Sequence, residues 1–87
     1  KKNYTVTIIA RTDTQAPEAE WLEKLAGILS SHRGKRPVSC TVRLPGHGEL
    51  SVNLPKSFAV AVSNDLMREL SRLPHVIRIR YHLNGDR

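Results

Sequence analysis

The sequence is poor in cysteine and in aromatic residues. Cys40 is the single cysteine among 87 residues, so the chain cannot form an internal disulfide or supply a zinc site built from several thiolates. A small chain without a disulfide framework is typical of a reducing compartment. We interpret Cys40 as a small buried hydrophobe, because free cysteine is among the most frequently buried residue types.

Long apolar runs are also missing. The longest, residues 58–62, is far shorter than the ~20 residues that a membrane-spanning helix needs, and the N-terminal stretch lacks the apolar segment of a signal peptide. We therefore expect a soluble, cytoplasmic protein without a membrane partner. The length suits one domain, assigned to residues 1–82, with residues 83–87 as a flexible tail. Because the chain begins without a methionine, we expect it to be a fragment of a longer protein.

Residue types that carry catalytic chemistry are present, but not in catalytic arrangements. None of the four histidines has the helical partner or the cysteine neighbour that a zinc site requires. The carboxylates are few and scattered, and the serines lie in no G-x-S-x-G context. Gly46 and Gly48 are better explained by a turn than by a phosphate-binding loop. We predict a non-catalytic domain that binds no cofactor and no metal.

Five segments alternate between apolar and polar residues, which is the pattern of a strand with one buried and one solvated face. They span residues 4–10, 38–44, 50–54, 58–62 and 75–82. Turn-forming residues at 45–48 join the second and third segments, so these two strands are predicted to form an antiparallel hairpin.

A first helix is predicted between the first two strands. It begins near Pro17, which suits the first helical turn, and apolar residues recur at helical spacing over residues 21–29. We predict that Gly34 ends this helix in the left-handed conformation that glycine adopts readily.

A second helix is predicted between a cap at Ser63 or Asn64 and Pro74, which cannot continue a helix. The predicted element order is then β-α-β-β-β-α-β. Because each strand has one apolar face, both helices should cover the same face of a mostly antiparallel sheet. The predicted fold class is therefore α+β, a two-layer sandwich.

Positive charge is the property that this sequence has in excess. The formal net charge is +6, and since residues 1–30 are balanced, the whole excess lies in residues 31–87. Two groups of basic side chains are candidates for a partner or nucleic-acid surface, one where the first helix ends and one on the outward face of the last strand, with Arg43 as a further candidate. The candidates are Arg33, Lys35, Arg36, Arg43, Arg78, Arg80 and His82.

These basic residues have two interpretations. Alternating basic side chains on a sheet face can follow the phosphates of a nucleic acid in a sequence-independent, salt-sensitive manner. Lysine and arginine are equally ordinary on a solvated surface, and this net charge is normal for a soluble domain. An RNA-binding sheet exposes aromatic side chains for stacking, whereas all four aromatic residues are expected to point towards the core. These are Tyr4, Trp21, Phe58 and Tyr81.

Residues 21–81 carry a recurring pattern. A helix ending in a leucine-rich turn plus His/Gly leads into a Pro-Val strand and a hairpin, then a strand runs into a Val-x-x-Ser/Asn-x-x-Leu helix start, and a last helix leads directly to a strand with valine. The residues of this pattern are Leu25, Leu29, His32, Gly34, Pro37, Val38, Val60, Ser63, Leu66, Leu70, Leu73 and Val76. In this pattern the chain resembles the C-terminal end of the alpha subunit of bacterial DNA polymerase III, the replicative polymerase. One departure is that Pro74 and His75 stand where the family commonly has a glycine.

The resemblance implies a non-catalytic terminal domain that docks the polymerase onto the tau subunit of the clamp loader in the replisome. The parent chain would be a DNA-directed DNA polymerase with its catalytic carboxylates elsewhere, so DNA would lie nearby. Two alternatives remain from the residues themselves. One is a basic domain that binds single-stranded DNA or RNA, and the other is a regulatory sandwich that binds a small ligand.

Overall fold

A computed structural model of the protein describes residues 4–12 and 19–83. The strands are β1 (Tyr4–Arg11), β2 (Arg33–Arg36), β3 (Val38–Leu44), β4 (Gly48–Asn53) and β5 (Val76–Leu83), and the α-helices are α1 (Ala19–Ser31) and α2 (Asn64–Arg72). The predicted start of the first helix at Pro17 lies outside the described residues. In the described part of the chain, no helix is both long enough and apolar enough to cross a membrane.

Four of the strands form one sheet in the order β4-β3-β1-β5. The central strand β1 pairs in parallel with β3 and antiparallel with β5, while β3 and β4 form the predicted antiparallel hairpin. The parallel pair is possible because α1 lies between β1 and β3 in the chain and returns it to the same end of the sheet. The fold is an α+β two-layer sandwich with a mostly antiparallel sheet, which confirms the predicted class.

Both helices and one face of the sheet share a single apolar core. Its buried members are Val6, Ile8, Ala10, Trp21, Leu25, Leu29, Val38, Cys40, Val42, Val60, Leu66, Leu70 and Leu73. The interpretation of Cys40 as a core residue is confirmed, and burial raises the pKa of its thiol. The indole N–H of Trp21 donates to the carbonyl of Pro74, which ties α1 to the turn before β5.

The strand predicted at residues 58–62 is wrong. Lys56–Phe58 is a short 3-10 helix, and only Val60 forms bridges, one to Arg33 and one to Arg36. Val60 is fully buried, so the alternation in this segment reflects which side chains reach the core. Alternate burial does not require a continuous ladder of backbone hydrogen bonds. The alternating pattern therefore did not predict the backbone structure of this segment correctly.

The strand that sequence patterning missed is β2, which begins two residues after α1 ends. The amide of Gly34 donates to the carbonyl of Ala59 at 3.0 Å, and the amide of Ala61 donates to that of His32 at 2.7 Å. The left-handed conformation predicted for Gly34 is wrong, because the described glycines with positive φ are Gly46 and Gly48. A Cβ on Gly34 would lie 2.3 Å from the backbone nitrogen of Ala61, so the close approach of two backbones explains the glycine.

The sequence signal for the start of α2 is confirmed, whereas β5 extends one residue beyond its predicted end. Ser63 caps α2, since its hydroxyl accepts a hydrogen bond from the amide of Leu66 at 3.0 Å. His75, which follows Pro74, has a φ of 74°, a conformation that is uncommon outside glycine. Leu83, which was assigned to the tail, belongs to β5 and pairs with Tyr4; residues 84–87 lie outside the described residues.

Candidate functional site

The face of the sheet turned away from the helices, here called the open face, collects most of the predicted basic residues. The register fixes which residues belong to it: Ile8 is opposite both Cys40 and Ile79 on the core side, so their chain neighbours point the other way. The open face consists of Thr5, Thr7, Ile9 and Arg11 from β1, Ser39, Thr41 and Arg43 from β3, Glu49, Ser51 and Asn53 from β4, and Arg78, Arg80 and His82 from β5.

Four of the seven candidate residues share this open face. Arg78, Arg80 and His82 follow one another at alternate positions along β5 and are exposed. Arg43 is also on the face, but β1 separates β3 from β5, so two strand spacings, ~10 Å, lie between them. The Nε of Arg43 is 3.1 Å from a carboxylate oxygen of Glu49. This ion pair partly balances the positive charge of Arg43.

Arg11 belongs to the open face and was missed by the sequence analysis. It lies directly opposite Arg43 on the neighbouring strand and is exposed. The alternation of β1 contained the signal, since Arg11 has the same parity as Thr7 and Ile9. The predicted strand stopped at Ala10 and therefore left Arg11 out.

Hydroxyl groups form the centre of the open face. The hydroxyls of Thr7 and Ser39 are 3.0 Å apart, and those of Thr41 and Ser51 are 2.9 Å apart. Between these pairs and the basic side chains of β5 lies a shallow depression of about 350 Å³. Its floor includes Ile9, which is 5% exposed and is not part of the core cluster. The surrounding polar side chains therefore cover Ile9 from the open side.

The other predicted group, Arg33, Lys35 and Arg36, lies on β2 and does not extend this surface. The guanidinium carbon of Arg36 is 4.3 Å from the centroid of the Tyr4 ring, a cation-π geometry. Tyr4 has the same parity along β1 as the core residues Val6 and Ile8, so its ring is on the helix side of the sheet. The two basic groups are thus on opposite sides of the sheet.

In the described part of the chain, the side chains of Tyr4, Trp21 and Tyr81 do not lie on the open face. Trp21 is buried in the core, and the rings of Tyr4 and Tyr81 pack edge to face with centroids 5.3 Å apart. The hydroxyl of Tyr81 donates to the sulfur of Met67 in α2 at 3.3 Å, which places it on the helix side although it is half exposed. The predicted inward orientation of these three residues is confirmed.

A second surface, here called the β4 strip, is apolar and exposed. Leu50 and Val52 are opposite the core residues Val42 and Cys40, so they point to the helix side, yet they are 57% and 48% exposed. Neither helix therefore covers β4. An apolar groove of about 160 Å³ begins at Leu54, two residues beyond Val52, and Leu22 in its lining is half exposed. The groove is lined by Leu22, Leu25, Ala26, Leu29, Leu54 and Phe58.

Further ion pairs outside these two surfaces have structural roles. The Nε2 of His32 is 3.2 Å from a carboxylate oxygen of Glu69, which links the end of α1 to α2. Asp65 pairs with Arg68 along α2 at 2.8 Å. Within residues 4–12 and 19–83, no three histidine, cysteine or acidic side chains are grouped so that they could hold a metal ion.

Comparison with protein-family models, curated proteins and solved structures found no match to this chain.

Proposed function

We propose that the chain is a non-catalytic C-terminal domain of a bacterial replicative DNA polymerase, which docks the polymerase onto the tau subunit of the clamp loader. The pattern shared with the polymerase III alpha subunit supports this proposal, because its residues have definite structural roles here. Leu25, Leu66 and Leu70 are core residues, and Ser63 caps α2. His75, at the position where the family commonly has a glycine, has a φ of 74° that glycine adopts readily.

The β4 strip is the observation that carries the docking role. Apolar side chains that point to the helix side of a small domain would normally be covered by a helix, and Leu50 and Val52 are not. Contiguous exposed apolar surface of this kind marks protein interfaces. The strip combines two features of a docking site, a flat apolar strand and a groove that can accept a side chain.

The edge position of β4 indicates the kind of tau segment that would bind. One side of β4 pairs with β3, and no described strand pairs with its other side, so its outer backbone groups can accept a further strand. An extended segment with apolar side chains at alternate positions would pair with this edge and cover Leu50 and Val52. One further apolar side chain would enter the groove beside Leu22 and Phe58.

Calorimetric titration of the 87-residue chain with the C-terminal part of tau tests this proposal. We expect measurable binding that weakens at least about tenfold in the double variant Leu50→Asp/Val52→Asp, since charge at the centre of an apolar interface is costly. The matched control is Ile77→Asp, a similarly exposed apolar residue on β5, which should bind as the unchanged chain does. Absence of heat with the unchanged chain, or equal affinities for all three proteins, would contradict the proposal.

A further inference from the structure

The positive charge of the open face is concentrated on three arginines. Arg78 and Arg80 project from β5 about 7 Å apart, as alternate residues of a strand do. Arg11 projects from the neighbouring strand β1, with Arg43 opposite it on β3. Within residues 4–12 and 19–83 the ion pairs are those of Lys24, His32, Arg43 and Arg68. The guanidinium groups of Arg11, Arg78 and Arg80 therefore have no carboxylate partner in this part of the chain.

The surface between these arginines is suited to anionic groups such as phosphate rather than to an apolar partner. Hydroxyl groups of Thr7 and Thr41 line the depression together with Arg80 and His82, and hydroxyl and guanidinium groups are the usual donors to phosphate oxygens. Among the described residues of the face, Glu49 is the one acidic residue, and it forms an ion pair with Arg43. The face thus offers donors and positive charge over an area of several strands.

We propose that the open face binds the phosphodiester backbone of single-stranded nucleic acid, with Arg11, Arg78 and Arg80 as the phosphate contacts. This surface is on the opposite side of the sheet from the β4 strip, so the inference does not depend on the proposed docking function. Its ligand is a polyanion held by charge and hydrogen bonds.

The shape of the face favours a single strand over a duplex. Duplex recognition usually places a helix or a two-stranded ribbon in a groove, and neither of the described α-helices lies on the open face. A flexible single strand can lie along β5, across the depression that Arg80 and His82 line, and bring successive phosphates to Arg78 and Arg80. Because the described open face has no aromatic side chain for base stacking, we expect binding to be weak and independent of base sequence.

Fluorescence anisotropy with a labelled oligothymidylate of about 15 nucleotides provides the test. Three phosphate contacts on a single strand predict a slope of about −2 for the logarithm of the association constant against the logarithm of salt concentration. Between about 50 and 200 mM salt the affinity should therefore fall roughly 20-fold. The variant Arg78→Ala/Arg80→Ala should bind about tenfold more weakly and show a slope of about −0.7.

Two variants with the same loss of charge distinguish a site from general attraction. Arg68→Ala/Arg72→Ala removes two positive charges from the exposed side of α2, and Arg33→Ala/Lys35→Ala removes two from β2. Both should keep the affinity within about twofold of the unchanged chain. Equal weakening in all three variants would overturn the proposal in favour of diffuse attraction by net charge. A salt-independent affinity, or tighter binding to the matching duplex than to the single strand, would also overturn it.

Discussion

The two faces of the same sheet differ in polarity, in charge and in their contact with the helices. On the core side, β1 contributes Val6, Ile8 and Ala10 to a cluster that both helices cover. On the open face the same strand contributes threonine, one buried isoleucine and an arginine. Successive side chains of β1 point to opposite faces of the sheet. A shift of one residue in the pairing of β1 would therefore exchange the two faces.

Along each strand, residues that face the core and residues that face the open side should affect different properties. The first should determine stability, and the second should determine ligand binding. Substitutions at core-facing positions should lower the free energy of unfolding, because they remove contacts with the helices. Substitutions of the arginines on the open face should change ligand binding and leave stability nearly constant, as exposed side chains usually do. The positions where this separation is least clear are the most useful to test.

Ile8 and Ile9 give the sharpest test, because they are neighbours of the same type on opposite faces. Ile8 is fully buried in the core and Ile9 is 5% exposed beneath the polar side chains of the open face. Ile8→Ala should lower the free energy of unfolding by about 4 kcal/mol, since the helices cannot fill the cavity. Ile9→Ala should cost about 1–2 kcal/mol, because water can enter the space that the methyl groups leave. Urea denaturation measures both values, and equal losses would mean that the two faces are packed alike.

The contact between β2 and the segment around Val60 is the second test, since it joins the end of α1 to the remainder of the helix layer. Gly34→Ala should lower the free energy of unfolding by about 2 kcal/mol, because a Cβ there meets backbone atoms that must move. Gly27→Ala is the matched control: a Cβ on Gly27 meets nothing within 4 Å, and alanine favours the helix by up to about 1 kcal/mol. The midpoint temperature of thermal unfolding should therefore fall in Gly34→Ala and rise in Gly27→Ala. A shift of both midpoints in the same direction would exclude the backbone contact as the cause.

The turn at His75 offers the smallest effect. His75→Gly should raise the free energy of unfolding by about 0.5 kcal/mol, as the relief of a left-handed conformation slightly exceeds the entropy that glycine loses on folding. His75→Val should lower it by about 1 kcal/mol, because a β-branched residue tolerates positive φ poorly. Chemical denaturation of the two variants measures the difference. If valine were tolerated as well as glycine, the turn would not depend on this conformation.

Alternation along the strands was enough to predict the fold class and the orientation of most site residues. Arg78, Arg80 and His82 were assigned correctly to one outward face because parity within a strand is a local property. The pairing partners of a strand are not local: the parallel pair of β1 with β3 depends on how α1 returns the chain. The prediction therefore could not show that Arg11 lies opposite Arg43.

The errors lie where the backbone is irregular. Val60 was assigned to a strand because burial of alternate side chains looks the same in a strand and in an irregular segment over a core. Gly34 was assigned to a helix end because glycine is equally typical of a left-handed turn and of two backbones in close contact. The sequence did not predict the β4 strip for a related reason. The alternation of Leu50 and Val52 predicts a buried face, but it does not show which strand the helices leave uncovered.

The central position of β1 has a consequence for how the chain reaches this structure. Among the described strands β1 is the first along the chain, and it pairs with β5, the last, so that Tyr4 lies opposite Leu83. During synthesis the most buried strand would remain without one of its partners until nearly all of the domain has left the ribosome. Contacts between such distant segments fold slowly compared with local ones, whereas the β3–β4 hairpin can form early. We expect the hairpin to be the starting template, and the closure of β5 onto β1 to be the step that completes the native sheet.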